Sequence, residues 1–384
     1  MKKLIYYIVS LFFMFSLTGC GAVLTNYHEV SSLQVVQTLG IDNFEDGVII
    51  SISTGSTDKA DPTIISHSGA TITTAMDMLQ EYSTKENLFF AHTSHIILGQ
   101  QTAEEGIAYI IDYVTRAIQM RTVIPIYIVR DGTAKELVTG TGDGSYDITD
   151  VLQSFERDVE LSSENHVYTT AEIAQSLVEN GAALISAVSC EETEDTIFSG
   201  GGGFAAIPDG FAVIKGDRLI GFLNTDMARS VNLLLSRIRG GYTVVEDQEG
   251  NKVTLDLKSG ETKFKAIYAA DGSIEKITVD TRLDTGVSEM KVPATLTDKE
   301  YLSSLEKEKA AQTAVLIKQV LEYARDDNAD FLGLGKILRS QDPLKFSKIP
   351  GGWESALCSA VFEITVEVDV LMSYDIINPT VEHS

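Results

Sequence analysis

An apolar run from Leu4 to Leu17 follows Met1-Lys2-Lys3 at the head of the chain. A helix needs about 20 apolar residues to cross a bilayer, and this run is too short for a permanent span. With its charged lead it has the layout of a secretory signal peptide, residues 1–19, that is removed after export. Everything downstream is therefore expected to fold outside the cytoplasm. A chain of 384 residues exceeds the size over which one hydrophobic core keeps growing, so two or three domains are expected.

The run ends in Leu17-Thr18-Gly19-Cys20, which resembles the bacterial lipobox, with cleavage before the cysteine. In that reading the Cys20 thiol carries a diacylglyceryl group, and two acyl chains give stable anchoring where one does not. Residues 20–32 form a short tether containing Val23, Leu24 and Tyr27, unlike a flexible Gly/Ser linker. The body should sit close to the lipid. The whole chain's formal net charge of −25 opposes nucleic-acid binding, which needs Lys and Arg on phosphates, and also opposes adhesion to anionic headgroups.

The patterning beyond the tether mixes strands and helices, giving an α+β or mixed α/β class with mixed sheets and packed helices. In residues 33–189, Leu33–Asp42 and Gly47–Ile52 predict a hairpin, and helices are predicted over Ala70–Tyr82 and from Glu104-Glu105 onward, with Ile107, Ile110, Ile111, Val114 and Ile118 on one face. Strands are expected at Ala91–Gly99, Ile124–Val129 and Ala183–Val188, and helices at Ala134–Val138 and Ala171–Glu179. Residues 190–204 turn acidic and then Gly-rich, the clearest composition shift, and are expected to be a linker or an exposed loop. In residues 205–375 two hairpins turn at Gly216-Asp217 and Asp271-Gly272. A helix is expected at about Asp226–Arg237, and the longest runs from Lys299 to Arg325. Phe362, Ile364, Val366, Val368 and Val370 then alternate with polar residues in the clearest strand. Residues 376–384 are a tail.

Chemistry-bearing patterns are few. His92 and His95 have H-x-x-H spacing, but on a strand that offset places the rings on opposite faces, with no third metal ligand in register. Gly200–Gly203 lack the Lys-Ser/Thr of a phosphate loop, and Thr141–Ser145 lack the strand-elbow-helix setting of a nucleophilic serine. Cys190 and Cys358 could pair outside the cell or stand as two thiols. No catalytic residue, metal site or cofactor is expected.

A series of motifs nevertheless resembles the Ger(x)C family of spore germination lipoproteins, the C subunits of nutrient germinant receptors. Beyond the lipobox these are Leu39-Gly40-Ile41-Asp42, His95–Gly99 with Ala103–Ile107, Ile111–Arg116 with Arg121, and Val129–Leu137. They continue with Gly210–Phe222, Asp330-Phe331-Leu332-Gly333-Leu334-Gly335 with Arg339 and Pro343, and Trp353. The chain departs from the family where Gly21-Ala22 replace the usual Trp-Asp after the cysteine.

The resemblance implies a three-domain mixed α/β protein without catalytic residues on the outer face of the spore inner membrane. It would stand there with two integral-membrane subunits, one transporter-like and one channel-like, in receptor assembly and the triggering of germination. Asp330, Gly333 and Gly335 follow the long helix, where glycine can cap a helix or admit a close approach; they form either a helix-to-helix turn or a contact for those partners. A solute-binding lipoprotein serving a transporter is the alternative, expected to show two lobes closing on a hinge. The anchor is testable directly: Cys20→Ala should leave folding intact and shift the protein from the membrane fraction to the soluble fraction, and a variant still firmly membrane-bound would exclude lipid anchoring at Cys20.

Overall fold

The computed structural model describes residues 33–55, 62–83, 87–117, 120–140, 147–193, 203–290 and 299–371. The signal segment 1–19, the tether with Cys20, and the tail 376–384 lie outside the described residues, as do Thr141–Ser145 and Gly200–Gly202.

A mixed eight-stranded sheet organises the first part. Its strands are β2 (Thr38–Phe44), β3 (Gly47–Ser53), β4 (Ile64–Gly69), β6 (His95–Leu98), β7 (Ile126–Val129), β8 (Ala182–Thr193), β9 (Gly203–Lys215) and β10 (Arg218–Leu223), in the order β10-β9-β8-β7-β6-β2-β3-β4. The four central strands run parallel, and the outer ones add as antiparallel hairpins. The central strands are apolar on both faces, as a sheet covered on both sides requires. Ile96, Leu98, Ile126 and Ile128 enter one core layer, and the intervening Ile97, Tyr127 and Val129 enter another. Two further strands, β1 (Leu33–Val35) and β5 (Asn87–Phe89), pair in parallel as a small separate sheet.

The first layer is covered by α1 (Ile72–Tyr82), α3 (Ala108–Arg116) and α6 (Thr170–Asn180), which supply Leu79, Ile110 and Ile173. On the opposite face lie α4 (Ala134–Thr139) and α5 (Ile148–Ser162), supplying Leu137 and Leu152. Farther along that face, Leu184, Phe211 and Val213 share one cluster with α7 (Thr225–Leu234), α8 (Lys299–Asp326) and the second large sheet. That sheet has the order β11-β12-β13-β14, from Tyr242–Glu246, Lys252–Tyr268, Ile274–Met290 and Phe362–Leu371. The last pair is parallel, and its crossover contains α8, α9 (Leu334–Gln341), α10 (Pro343–Phe346) and α11 (Gly352–Cys358).

Several expectations need correction. The first predicted strand splits at Val36-Gln37 because its two halves pair with different sheets. The helix expected from Glu104 onward breaks at Gly106, between α2 (Gln100–Glu105) and α3. Gly106 has φ +135°, and the Ile107 N–H donates to the Asp217 carbonyl at 2.7 Å, a long-range bond that a continuing helix would forfeit. α7 ends at Leu234, ahead of Ser236 at φ +56°. Helix α5 and strand β11 were not anticipated. Cys190 to Thr193 continue β8, which pairs with β9 up to Thr193 and Gly203, so those residues are strand, and residues 194–202 of the expected linker or loop lie outside the described residues.

On α8, Ile317 is fully buried in the shared cluster while Val315 is 56% exposed. Ile317→Ala should lower unfolding free energy by about 2–5 kcal/mol in urea titration, whereas Val315→Ala should stay within about 0.5 kcal/mol. Equal effects would contradict the orientation of α8.

Candidate functional site

The motifs singled out in the sequence meet in space, and two buried aspartates make the joints. Asp42, at 6% exposure, sits on β2. Its carboxylate accepts from the backbone N–H groups of Ala134 and Lys135, each at 2.8 Å. These are orphan donors of the first turn of α4, and the next, Glu136 N–H, donates to the Thr133 hydroxyl at 3.1 Å. A Cβ on Gly99 would overlap the Asp42 carboxylate, which explains the glycine at the end of the β6 motif.

Asp330 repeats the arrangement after α8. Its Oδ1 accepts from Leu334 N–H at 2.7 Å, and its Oδ2 from Gly335 N–H and the Trp353 indole N–H, both at 2.8 Å. Gly333, the N-cap of α9, has φ +70° and ψ +30°, a left-handed conformation that costs glycine nothing. A Cβ on Gly335 would lie 2.6 Å from the Trp353 indole nitrogen. Trp353 in turn packs on Phe346 at 5.8 Å between ring centroids, and the Arg339 guanidinium lies 5.1 Å over Phe346. One carboxylate thus ties the end of α8 to the starts of α9 and α11. Burial pushes the carboxyls of Asp42 and Asp330 above their ordinary range, and their N–H donors pull them back.

Asp330, Gly333 and Gly335 are therefore brought together, and all three are buried. What the cluster presents outward is the exposed face of α9, with Lys336, Arg339 and Ser340. Lys336 also reaches Glu179 of α6 at 2.7 Å. A third joint links Arg130, from the motif after β7, to Asp209 at 2.7 Å; its guanidinium lies 4.5 Å over the Phe222 ring. Cys20 lies outside the described residues.

The remaining candidates separate. His95 is buried with Nε2 3.0 Å from Glu156, while His92 is exposed and packs on Phe89. Cys190 and Cys358 are free thiols, the first half-buried on β8 and the second exposed on α11. Reasoning from sequence missed the role of Asp42: its place in an apolar strand was the available signal, since a carboxylate buried there must find donors.

Two family models cover most of the chain. The model described as the spore germination protein N-terminal domain matches residues 26–189, and the one described as spore germination B3/GerAC like, C-terminal, matches residues 209–373. The chain belongs to the Ger(x)C family of spore germination proteins. It is 22% identical to spore germination protein KC of Bacillus subtilis (strain 168) over 385 aligned residues, covering 92% of this chain and 91% of that protein. To spore germination protein B3 of the same organism it is 24% identical, over 42% of this chain and 44% of that protein. The fold matches a crystal structure of the GerBC protein with a TM-score of 0.56 at 17% identity, covering 87% of this chain and 96% of that one. The mixed α+β architecture is thus the Ger(x)C fold.

Trp353 is the single tryptophan of the chain, so its emission reports on the Asp330 joint. Asp330→Ala strands three buried donors and should cost about 3–5 kcal/mol, with red-shifted fluorescence. Gly333→Val, forced into a left-handed conformation, should cost about 1–3 kcal/mol. Wild-type melting for both variants would refute the assignment.

Proposed function

We propose that this chain is the lipid-anchored, non-enzymatic subunit of a spore nutrient germinant receptor, acting in receptor assembly and in the triggering of germination. The observation that carries the reading is the succession, in one chain, of a lipobox ending at Cys20 and both family domains. Lipid on Cys20 would hold the body at the extracytoplasmic face of the spore inner membrane. No helix among the described residues is long and apolar enough to cross a membrane.

The partners would be two integral-membrane subunits, one transporter-like and one channel-like. Asp330, Gly333 and Gly335 would act on them indirectly, by fixing α9 and the basic residues it exposes. A non-catalytic role is supported by the use of the buried carboxylates of Asp42 and Asp330 as helix caps. A solute-binding lipoprotein closing on a hinge is disfavoured by the core that joins the two large sheets, because hinge closure requires lobes that can separate.

The test is affinity purification of the tagged full chain from detergent-solubilised spore inner membrane. Both integral subunits should co-elute, and their yield should fall when Lys336 and Arg339 are changed together to Glu. Elution of a lipidated chain alone would overturn the receptor reading.

A further inference from the structure

A cavity of about 570 Å³ opens between α7, α8 and strands β11 and β12, within the size range of small-ligand sites. Its floor is apolar, formed by Leu233, Leu257, Leu283 and Leu316, and Tyr242, Val244 and Val315 line it as exposed residues. The charged groups in its lining are Lys309 from α8 and Arg229 and Asp226 from α7. Within the lining two cations face one carboxylate, and the ion pair of Arg229 with Glu164 behind it leaves Lys309 as the cation without an ion-pair partner of its own among the described residues.

These cations are incompletely satisfied. Lys309 is only 6% exposed. Its ammonium donates to the Thr243 hydroxyl at 2.9 Å and forms no ion pair among the described residues, although an ammonium has three donors to place. Arg229 pairs with Glu164 and stands 3.8 Å from Asp226, yet its buried Nε has no partner among the described residues. Buried donors without acceptors are rare because they cost desolvation without return, and an anion in the cavity would supply the missing acceptors. We propose that this cavity binds a small organic acid, with its carboxylate on Lys309 and Arg229 and its apolar body against the leucine floor. A primary amine would meet two like charges there, and a neutral alcohol would leave the ammonium uncompensated.

Burial, reinforced by the Arg229 charge, pushes the Lys309 ammonium down to about 8, and Asp226 pulls it back. Glu164, which pairs with Arg229, and the Tyr242 phenol are the other titratable groups around the cavity. Since binding requires both the ligand carboxylate and the protonated ammonium, affinity should be flat from about pH 6 to about pH 8 and then fall by roughly tenfold per pH unit as Lys309 loses its proton.

The experiment is calorimetric titration of the full chain in detergent, against a micelle blank, with 3-phenylpropionate, 3-phenylpropanol and 3-phenylpropylamine. Saturable binding of the acid alone is expected, weakened at least roughly tenfold by Lys309→Met and declining above about pH 8 in the unmutated chain. The pH series keeps the test decisive should the variant fail to fold. Absence of acid binding up to about 10 mM, equal binding of the alcohol, or affinity unchanged from pH 7 to 10 would each overturn the proposal.

Discussion

A carboxylate taken out of water must be met by donors, and in this protein that requirement joins distant segments. Asp42 and Asp330 each spend both carboxylate oxygens on the first N–H groups of a helix. Charge-assisted bonds at a helix N-terminus are among the stronger ones available. The geometry is demanding: it needs an approach that Gly99 and Gly335 leave open. Loss of either the acid or the space would leave the start of α4 to its Thr133–Glu136 capping box and would release the start of α9, whose N-cap Gly333 makes no side-chain cap bond.

The rest of the architecture follows from which surfaces those joints bring together. Asp42 pulls α4 onto the eight-stranded sheet, so alternate residues of β6 and β7 bury on both faces. Asp330 turns the chain at the end of α8 and sets α9 and α11 beneath it. This lets α8 pack along β14 and α7 and add Ile317, Val320 and Leu321 to the cluster the two large sheets share. The result is a body whose halves share a core, a form better suited to a fixed scaffold than to a hinged binding protein.

Local patterning made much of this legible. The turns at Gly216-Asp217 and Asp271-Gly272 and the alternation of β14 appear where the sequence puts them. Pattern failed where a distant partner overrode it. Gly106 breaks a periodic apolar run because Asp217 offers its carbonyl to Ile107. Helix α5 does carry the signal, with Ile148, Val151, Leu152 and Phe155 at helical spacing, whereas β11 is short and half-exposed. On α8 the periodicity marked Ala310 and Ala314, which are half-buried, while the buried stripe takes Lys309 and Thr313 in their place. A rotation of one residue on a helix is about 100°, enough to turn a presumed surface lysine inward.

Sequence alone determined the element types of the strongly periodic stretches, the acidic character of the body and the family motifs, because each depends on residues close together in the chain. It also marked Asp330, Gly333 and Gly335 as a turn of consequence. Only the tertiary structure decided that Asp330 answers to Trp353, that Asp42 caps a helix ninety-two residues away, and that Lys309 faces a cavity. Periodicity sets which face of an element is apolar, but burial and hydrogen-bond partners depend on what packs against that face, and those contacts come from elsewhere in the chain.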